Sequence, residues 1–205
     1  HMTNANIVPM LSFGTILLDH EWRDQGAFKE LDCQERLYLD GDASLLLAQS
    51  TGLQSGCLSV WHNLFHGDER ITRSALGVSL THEIKCGLWY GKLHERTAAL
   101  LANFGYGLPD CRVWRYWDPE QAVALSGAPA KALALARGGR ALVAVASYGP
   151  AGDVRLAPDS RKLGLPENVT AVNAETGEPI ARDADGSFRF ALPRHDFRLI
   201  ALGPP

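Results

Sequence analysis

Apolar and polar positions are laid out in two different ways along the chain, and the change comes near residue 110. Before it, apolar runs alternate with helical patterns. Ile7 to Leu18 (IVPMLSFGTILL) is apolar with little alternation, as strands covered on both faces of a parallel sheet are. Pro9 and Gly14 interrupt it, so it does not read as one long strand. The polar cluster Asp19-His20-Glu21-Trp22 follows directly. Asp24 to Leu31 reads as a short helix, and Ala43 to Thr51 as a nearly all-apolar one, with Asp42 as its N-cap and Gly52 at its C′ position. Cys57 to Phe65 (CLSVWHNLF) reads as the next strand, ending in polar groups. Asp68 to Leu80 fits neither period cleanly, and Thr81-His82-Glu83 closes it. Leu88 to Phe104 is the clearest helix: Leu93, Thr97, Leu100, Leu101 and Phe104 fall on one face, and Gly105 stops it.

From Val113 onward short strands follow one another. Ala122 to Leu125, Ala132 to Ala136, Ala141 to Tyr148, Val154 to Leu156, Val169 to Asn173, Phe188 to Leu192 and Phe197 to Leu202 are separated by turn signals such as Gly138-Gly139, Gly149-Pro150, Thr176-Gly177 and Asp185-Gly186. Regular short strands with such punctuation predict a sandwich or barrel. Asp185-Gly186 predicts a type I′ hairpin turn, with positive φ at both central residues. Phe188, Phe190 and Leu192 alternate with Ser187, Arg189 and Ala191, as in an antiparallel sheet with one wet face. The pattern predicts an α/β region, resembling part of a TIM barrel, over 3–110 and an all-β antiparallel sandwich over 111–205. The two should meet at a packed junction, with Trp114 or Trp117 buried between them.

Composition narrows the function classes. The chain has 205 residues, 46% apolar and 21% charged, with a net charge of −3. That balance carries no basic footprint for nucleic acid. No apolar run approaches the roughly eighteen residues that argue for a membrane span. His1-Met2 reads as a cloning scar. Cys33, Cys57, Cys86 and Cys111 are scattered without a C-x-x-C pair and read as reduced, mostly buried thiols.

The second half resembles the end of many glycoside hydrolases. The resemblance rests on Arg115-Tyr116-Trp117-Asp118, on Gly139 to Tyr148 (GRALVAVASY), on Ala174-Glu175-Thr176-Gly177-Glu178-Pro179 and on Leu192 to Leu199 (LPRHDFRL). Their order is similar to the C-terminal sandwich of family-123-like and related clan enzymes, and it covers under half of the chain. The first half is similar, more loosely, to the closing strands and helices of a (β/α) barrel. A full barrel takes about 250 residues, so the resemblance implies either a missing barrel half, supplied by more chain or by a homo-oligomer, or a small architecture of its own. Family-123-like enzymes use an Asp-Glu pair with the substrate's acetamido group; the one adjacent pair, Asp68-Glu69, reads as a loop.

A glycosidase needs two carboxyl groups flanking the scissile bond. Asp19, Glu21 and Glu83 are the candidates, each at an inferred strand end, where barrels gather their chemistry. The competing reading makes Asp19 and Glu21 a capping or ion-pairing group beside Arg23, and pairs Glu83 with Lys85. Trp22 and Trp61 are candidate sugar platforms, since an indole offers a flat apolar face. His20, His62 and His82 stand beside them as hydroxyl-binding groups. His62 and His66 are spaced i, i+4, but on a strand that spacing does not converge on a metal, so no metal or other cofactor is expected. No Gly-rich phosphate loop and no G-x-S-x-G elbow occurs. The expectation is a glycoside hydrolase, or a fragment of one, with carbohydrate as its partner. The alternative is a non-catalytic carbohydrate-binding or structural module.

Overall fold

A computed structural model gives the fold and describes residues 2–3, 16–19, 38–50, 58–61, 69–86 and 92–205. The expected helix over Asp24 to Leu31 and the Gly52 cap lie outside the described residues, as do Cys33 and Cys57. Four short strands, β1 (Met2–Thr3), β2 (Ile16–Asp19), β3 (Leu58–Trp61) and β4 (Lys85–Cys86), form a parallel sheet in that order. Met2, set aside as a scar, pairs with Ile16. Helix α1 (Ala43–Ser50) follows a 3-10 turn at Tyr38–Asp40, and Asp42 caps it by accepting from Ser44 N at 2.8 Å. No described helix is long and apolar enough to cross a membrane.

The segment that fits neither period, Asp68 to Leu80, supplies helix α2 (Glu69–Thr81). Its second half is covered all round, every residue from Ser74 to Thr81 being buried, while Glu69 and Arg70 in its first turn are exposed. Glu69 opens this helix, which corrects the loop reading of Asp68-Glu69 in its second residue. Helix α3 (Lys92–Phe104) buries Thr97 and packs Leu93, Leu100, Leu101 and Phe104 against the core. Gly105, at φ 99°, ends it, and Tyr106 N donates to Leu101 O at 3.0 Å.

Residues 112–205 fold into antiparallel sheets with one short helix, α4 (Ser160–Leu163), capped by Asp159. The strands are β5 (Arg112–Arg115), β6 (Val123–Gly127), β7 (Ala130–Arg137), β8 (Arg140–Ser147), β9 (Gly152–Pro158), β10 (Thr170–Asn173), β11 (Pro179–Ile180), β12 (Phe188–Leu192) and β13 (Phe197–Gly203). One sheet runs β11-β10-β13-β8-β7-β5 and the other β12-β9-β6. The β7–β8 hairpin turns on Gly138 and Gly139, both at positive φ, as a two-residue I′ turn requires. The Asp185-Gly186 turn differs from expectation. Only Gly186 has positive φ, and Gly186 N bonds Asp183 O at 2.9 Å, so the turn starts at Asp183, one residue earlier. Asp185 instead accepts from Ser187 N and Arg155.

The larger sheet is buried on both faces. Ala132, Ala134 and Ala136 of β7 and Ala141, Val143 and Val145 of β8 face the sandwich interior, in one cluster with Phe188, Leu156 and Ile200. The residues between them, Leu133, Leu135, Leu142, Ala144 and Ala146, join Leu39, Ala75, Leu76, Val78, Phe197 and Leu199 in a second cluster under α2. Aliphatic residues and Phe197 therefore make the centre of the junction, where Trp114 or Trp117 was expected. Trp114 packs into the sandwich cluster, and neither it nor Trp117 is fully buried.

Ion pairs line this junction. Arg73 of α2 holds Glu175 through both carboxylate oxygens at 2.9 and 3.0 Å, donates to Phe197 O at 2.9 Å and also binds Asp196. These bonds raise its pKa although burial works to lower it. Beside it, His195 Nε2 meets Asp40 at 2.6 Å and Nδ1 faces Arg70 at 3.3 Å.

Helix α2 approaches the sheet most closely at Gly77, where a Cβ would stand 2.9 Å from Leu39 Cδ1 and 3.3 Å from Ala146 Cβ. Gly77→Ala should be near neutral, because Leu39 can shift and Ala is favoured over Gly in a helix by about 1 kcal/mol. Gly77→Val should destabilise by about 1–3 kcal/mol through overpacking. Urea unfolding midpoints separate the two; a Val variant as stable as the parent would show that this contact is loose.

Candidate active site

The parallel sheet sets where chemistry can gather. Asp19 of β2 is in register with Trp61 of β3, and Trp61 with Cys86 of β4. The three residues form one row at the carboxyl ends of adjacent parallel strands, the edge at which open and closed α/β folds place their sites. His20, Glu21, Trp22 and His62, which follow this row in sequence, lie outside the described residues.

His82 and Glu83 are elsewhere. They precede β4, and Lys85 is already level with Val60, so they sit toward the amino end of the sheet. The expectation that they share a strand end with Asp19 and Trp61 is corrected here. The apolar run before them is helix α2, so they close a helix.

Glu83 occupies the C′ position of α2 with φ 55°, where glycine is usual. Ile84 N bonds Ser79 O at 3.0 Å, closing the helix as a Schellman motif does. Both carboxylate oxygens are engaged: Tyr106 donates to one at 2.8 Å and Arg115 binds the other. The expected partner was Lys85; the observed one comes from the first strand of the sandwich. Burial pushes the Tyr106 hydroxyl pKa well up, and the Glu83 carboxylate adds to the shift. Glu83 thus ties the end of α2 to the α3–β5 connection and to β5.

His82 is 1% exposed. Its Nδ1 lies 3.0 Å from Val78 O, and its Nε2 lies 2.9 Å from Tyr116 Oη and 3.3 Å from Ala43 O. Tyr116, Trp117 and Tyr148 surround the ring. Burial holds its pKa below the ordinary 6.5, and Lys131 lowers it further. Tyr116 comes just after β5, so it leaves the face of Trp114 and packs against His82 instead. Burial and the charge of Asp42 push the Tyr116 pKa up to about 12. Sequence reading saw these aromatics as a junction feature but missed Lys131 and the Asp40–His195 pair. Asp40 and His195 are 155 residues apart, and Lys131 meets rings on other segments of the chain, pairings that no local pattern encodes.

A cavity of about 280 Å³ lies between α2 and α3. Leu76, Leu80, Leu101 and Leu133 wall it, and Ser79, Glu83, His94, Thr97 and Tyr106 are its polar residues. Its apolar walls and the engaged carboxylate make it a packing gap rather than a place for acid–base chemistry.

Comparison with known proteins adds the fold. No family model matches the sequence, and no curated protein does. Among solved structures, a maltogenic α-amylase from Thermotoga neapolitana superimposes over 98% of this chain and 54% of its own, with a TM-score of 0.53 and 9% identity. A GH30 endoxylanase from Clostridium papyrosolvens covers 98% and 51%, with a TM-score of 0.45 and 12% identity. A GH27 β-L-arabinopyranosidase from Geobacillus stearothermophilus covers 80% and 40%, at 0.40 and 16%. The fold is glycoside hydrolase-like. This likeness is coarser than the family-123-like resemblance read from the sequence. The chain spans about half the length of the amylase and the endoxylanase, 54% and 51%.

Three substitutions test the roles assigned to His82 and Glu83. Glu83→Ala keeps the strained backbone and leaves Arg115 and Tyr106 without their acceptor, and should cost about 1–3 kcal/mol. Glu83→Gly should cost about 1 kcal/mol less, because glycine adopts positive φ freely. Equal losses in chemical denaturation would refute the αL assignment.

For His82 the sign follows from linkage. The folded pKa is depressed, so between it and the unfolded value of 6.5 the unfolded chain binds more protons. Stability from the neutral ring is complete above that pH and falls as the pH drops below it. Unfolding free energies at about pH 7.5 and about pH 5.5 should differ less in His82→Gln than in the parent; an unchanged difference would remove His82 from the acid sensitivity.

Proposed function

We propose that this chain is the carboxyl-terminal part of a glycoside hydrolase, the closing strands of a (β/α) barrel followed by their sandwich, acting on O-glycosidic bonds by carboxylate chemistry. One observation carries the reading: Asp19, Trp61 and Cys86 form a row at the carboxyl end of parallel strands. His20, Glu21 and Trp22 continue the chain from that row after Asp19, and His62 after Trp61. Asp19 and Glu21 are the two carboxylates. One protonates the leaving oxygen, and the other serves as nucleophile or base. Trp22 and Trp61 stack on the sugar's CH faces, and His20 and His62 bind its hydroxyls. Glu83 and His82 are left out of the cleft, because their polar atoms are engaged at the other end of the sheet.

The amylase superposition, which takes in nearly the whole chain, supports this order of barrel part and sandwich. Among the described residues four strands form the parallel sheet, half of the eight in a closed barrel. Among the described residues β1 and β4 are outer strands, and unpaired strand edges recruit partners. The other half comes from further chain or from a second copy. The non-catalytic reading gains little support, since among the described residues the exposed large apolar side chain is Leu108, on no strand of the sandwich.

A panel of aryl glycosides, assayed alongside light scattering, tests the proposal. The isolated monomer should turn over weakly, and associated chain should turn over faster. Glu21→Gln or Asp19→Asn should lower that rate by about 10²–10⁴-fold. Glu83→Gln, in protein that remains folded, should leave it largely intact. No turnover in either state, or turnover indifferent to Asp19 and Glu21, would overturn the reading. Robust turnover by a strict monomer would show that the chain is complete as it stands.

A further inference from the structure

The aromatic cluster around His82 borders an open pocket of about 200 Å³ on the sandwich, between β6 and β7. Tyr116, Gln121, Val123, Leu125 and Lys131 line it. Pockets for drug-sized ligands hold about 300–1,000 Å³, so this one admits a single ring or a small ion. It lies by Tyr116, which contacts His82, and shares no lining residue with the Asp19–Trp61–Cys86 row.

Two polar groups in it are fixed and incompletely used. The Lys131 ammonium is held over the Tyr116 ring, 4.2 Å from its centroid, and 5.8 Å from that of Tyr148. Among the described residues no carbonyl or carboxylate accepts a hydrogen bond from it; its partners are these rings and, at longer range, the charge of Asp42. A cation–π contact satisfies the charge without using the three N–H donors. Burial lowers the Lys131 pKa, the expected consequence of half-burying an ammonium without a paired anion.

Gln121 is the second group. Its Nε2 donates to Arg115 O at 2.9 Å and to Asp118 O at 2.6 Å. Both amide hydrogens are then spoken for, and Oε1 is left to accept. Val123 and Leu125 of β6 supply an apolar wall beside these groups. A set of one cationic donor, one fixed acceptor and one apolar wall does not suit a bare inorganic anion, which would meet the Gln121 carbonyl as a second negative group. It suits a ligand with a carboxylate, a hydroxyl and a CH face together.

We propose that this pocket binds an acidic sugar residue of the uronate class. The sugar carboxylate accepts from Lys131 Nζ, a ring hydroxyl donates to Gln121 Oε1, and the CH face lies on Val123 and Leu125. The site is independent of the cleft assigned above and stands whether or not that cleft is catalytic.

The test uses the full chain with its lysines reductively ¹³C-dimethylated, so that Lys131 reports directly by NMR; a Lys131→Arg variant identifies its signal. Sodium D-glucuronate should move that signal saturably. D-glucose and sodium acetate should each bind about tenfold or more weakly, as expected for loss of one charged or polar contact. Gln121→Ala should weaken glucuronate while leaving acetate unchanged. A Lys131 signal that glucuronate does not move would overturn the proposal, and so would acetate matching glucuronate, which would mark a bare carboxylate contact. Hydrolysis is not read in this experiment, so its failure leaves the cleft assignment untouched.

Discussion

The double burial of the six-stranded sheet is the constraint on which the rest depends. Strands β7, β8 and β13 have no wet face. Alternate residues enter the sandwich interior, and the residues between them meet helix α2. Covering a Leu or Phe contributes on the order of 1.5–3 kcal/mol, and exposing either face would forfeit several such contributions together. The sandwich therefore cannot separate from the helical layer at low cost. The helix laid on this sheet must be small where it touches, which accounts for Ser74, Ala75 and Gly77 in its middle.

Polar contacts then fix the pose. Arg73 reaches from α2 to Glu175, Asp196 and the Phe197 carbonyl, while Asp40 holds His195 and Glu83 holds Arg115. Partly buried ion pairs add little net stability, but each penalises a slipped register, because a lost partner leaves a desolvated charge. The segments whose wording resembles glycoside hydrolase sandwiches, Ala174 to Pro179 and Leu192 to Leu199, supply Glu175, His195, Asp196 and Phe197. In this chain those motifs are the clamp between the sandwich and its helix, which is why they report architecture and not substrate.

The same geometry separates chemistry from support. The carboxyl ends of the parallel strands carry the Asp19–Trp61–Cys86 row. At the other end, the candidate carboxylate Glu83 and the candidate hydroxyl-binding His82 are consumed by capping and packing. Saturation of their hydrogen-bonding atoms by groups of the fold itself distinguishes them from groups held ready for a substrate.

Much of the second half was legible in the sequence alone. Turn residues have local causes: Gly138-Gly139 makes the I′ hairpin, Gly105 stops α3 and Asp42 caps α1. Strand spacing set the antiparallel class. What sequence could not yield was anything that depends on a distant partner. Helix α2 holds the polar residues Thr72, Ser74 and Ser79 at buried positions, and only tertiary contact shows that they are covered. Glu83 sat after an apolar run that could equally have been strand or helix, and only the fold showed it in an αL cap beside Arg115. The partners of Arg73, His195 and Lys131 are remote along the chain, and nothing local records them. Local backbone chemistry wrote the elements; long-range packing and desolvation decided which charges are spent on structure and which remain available.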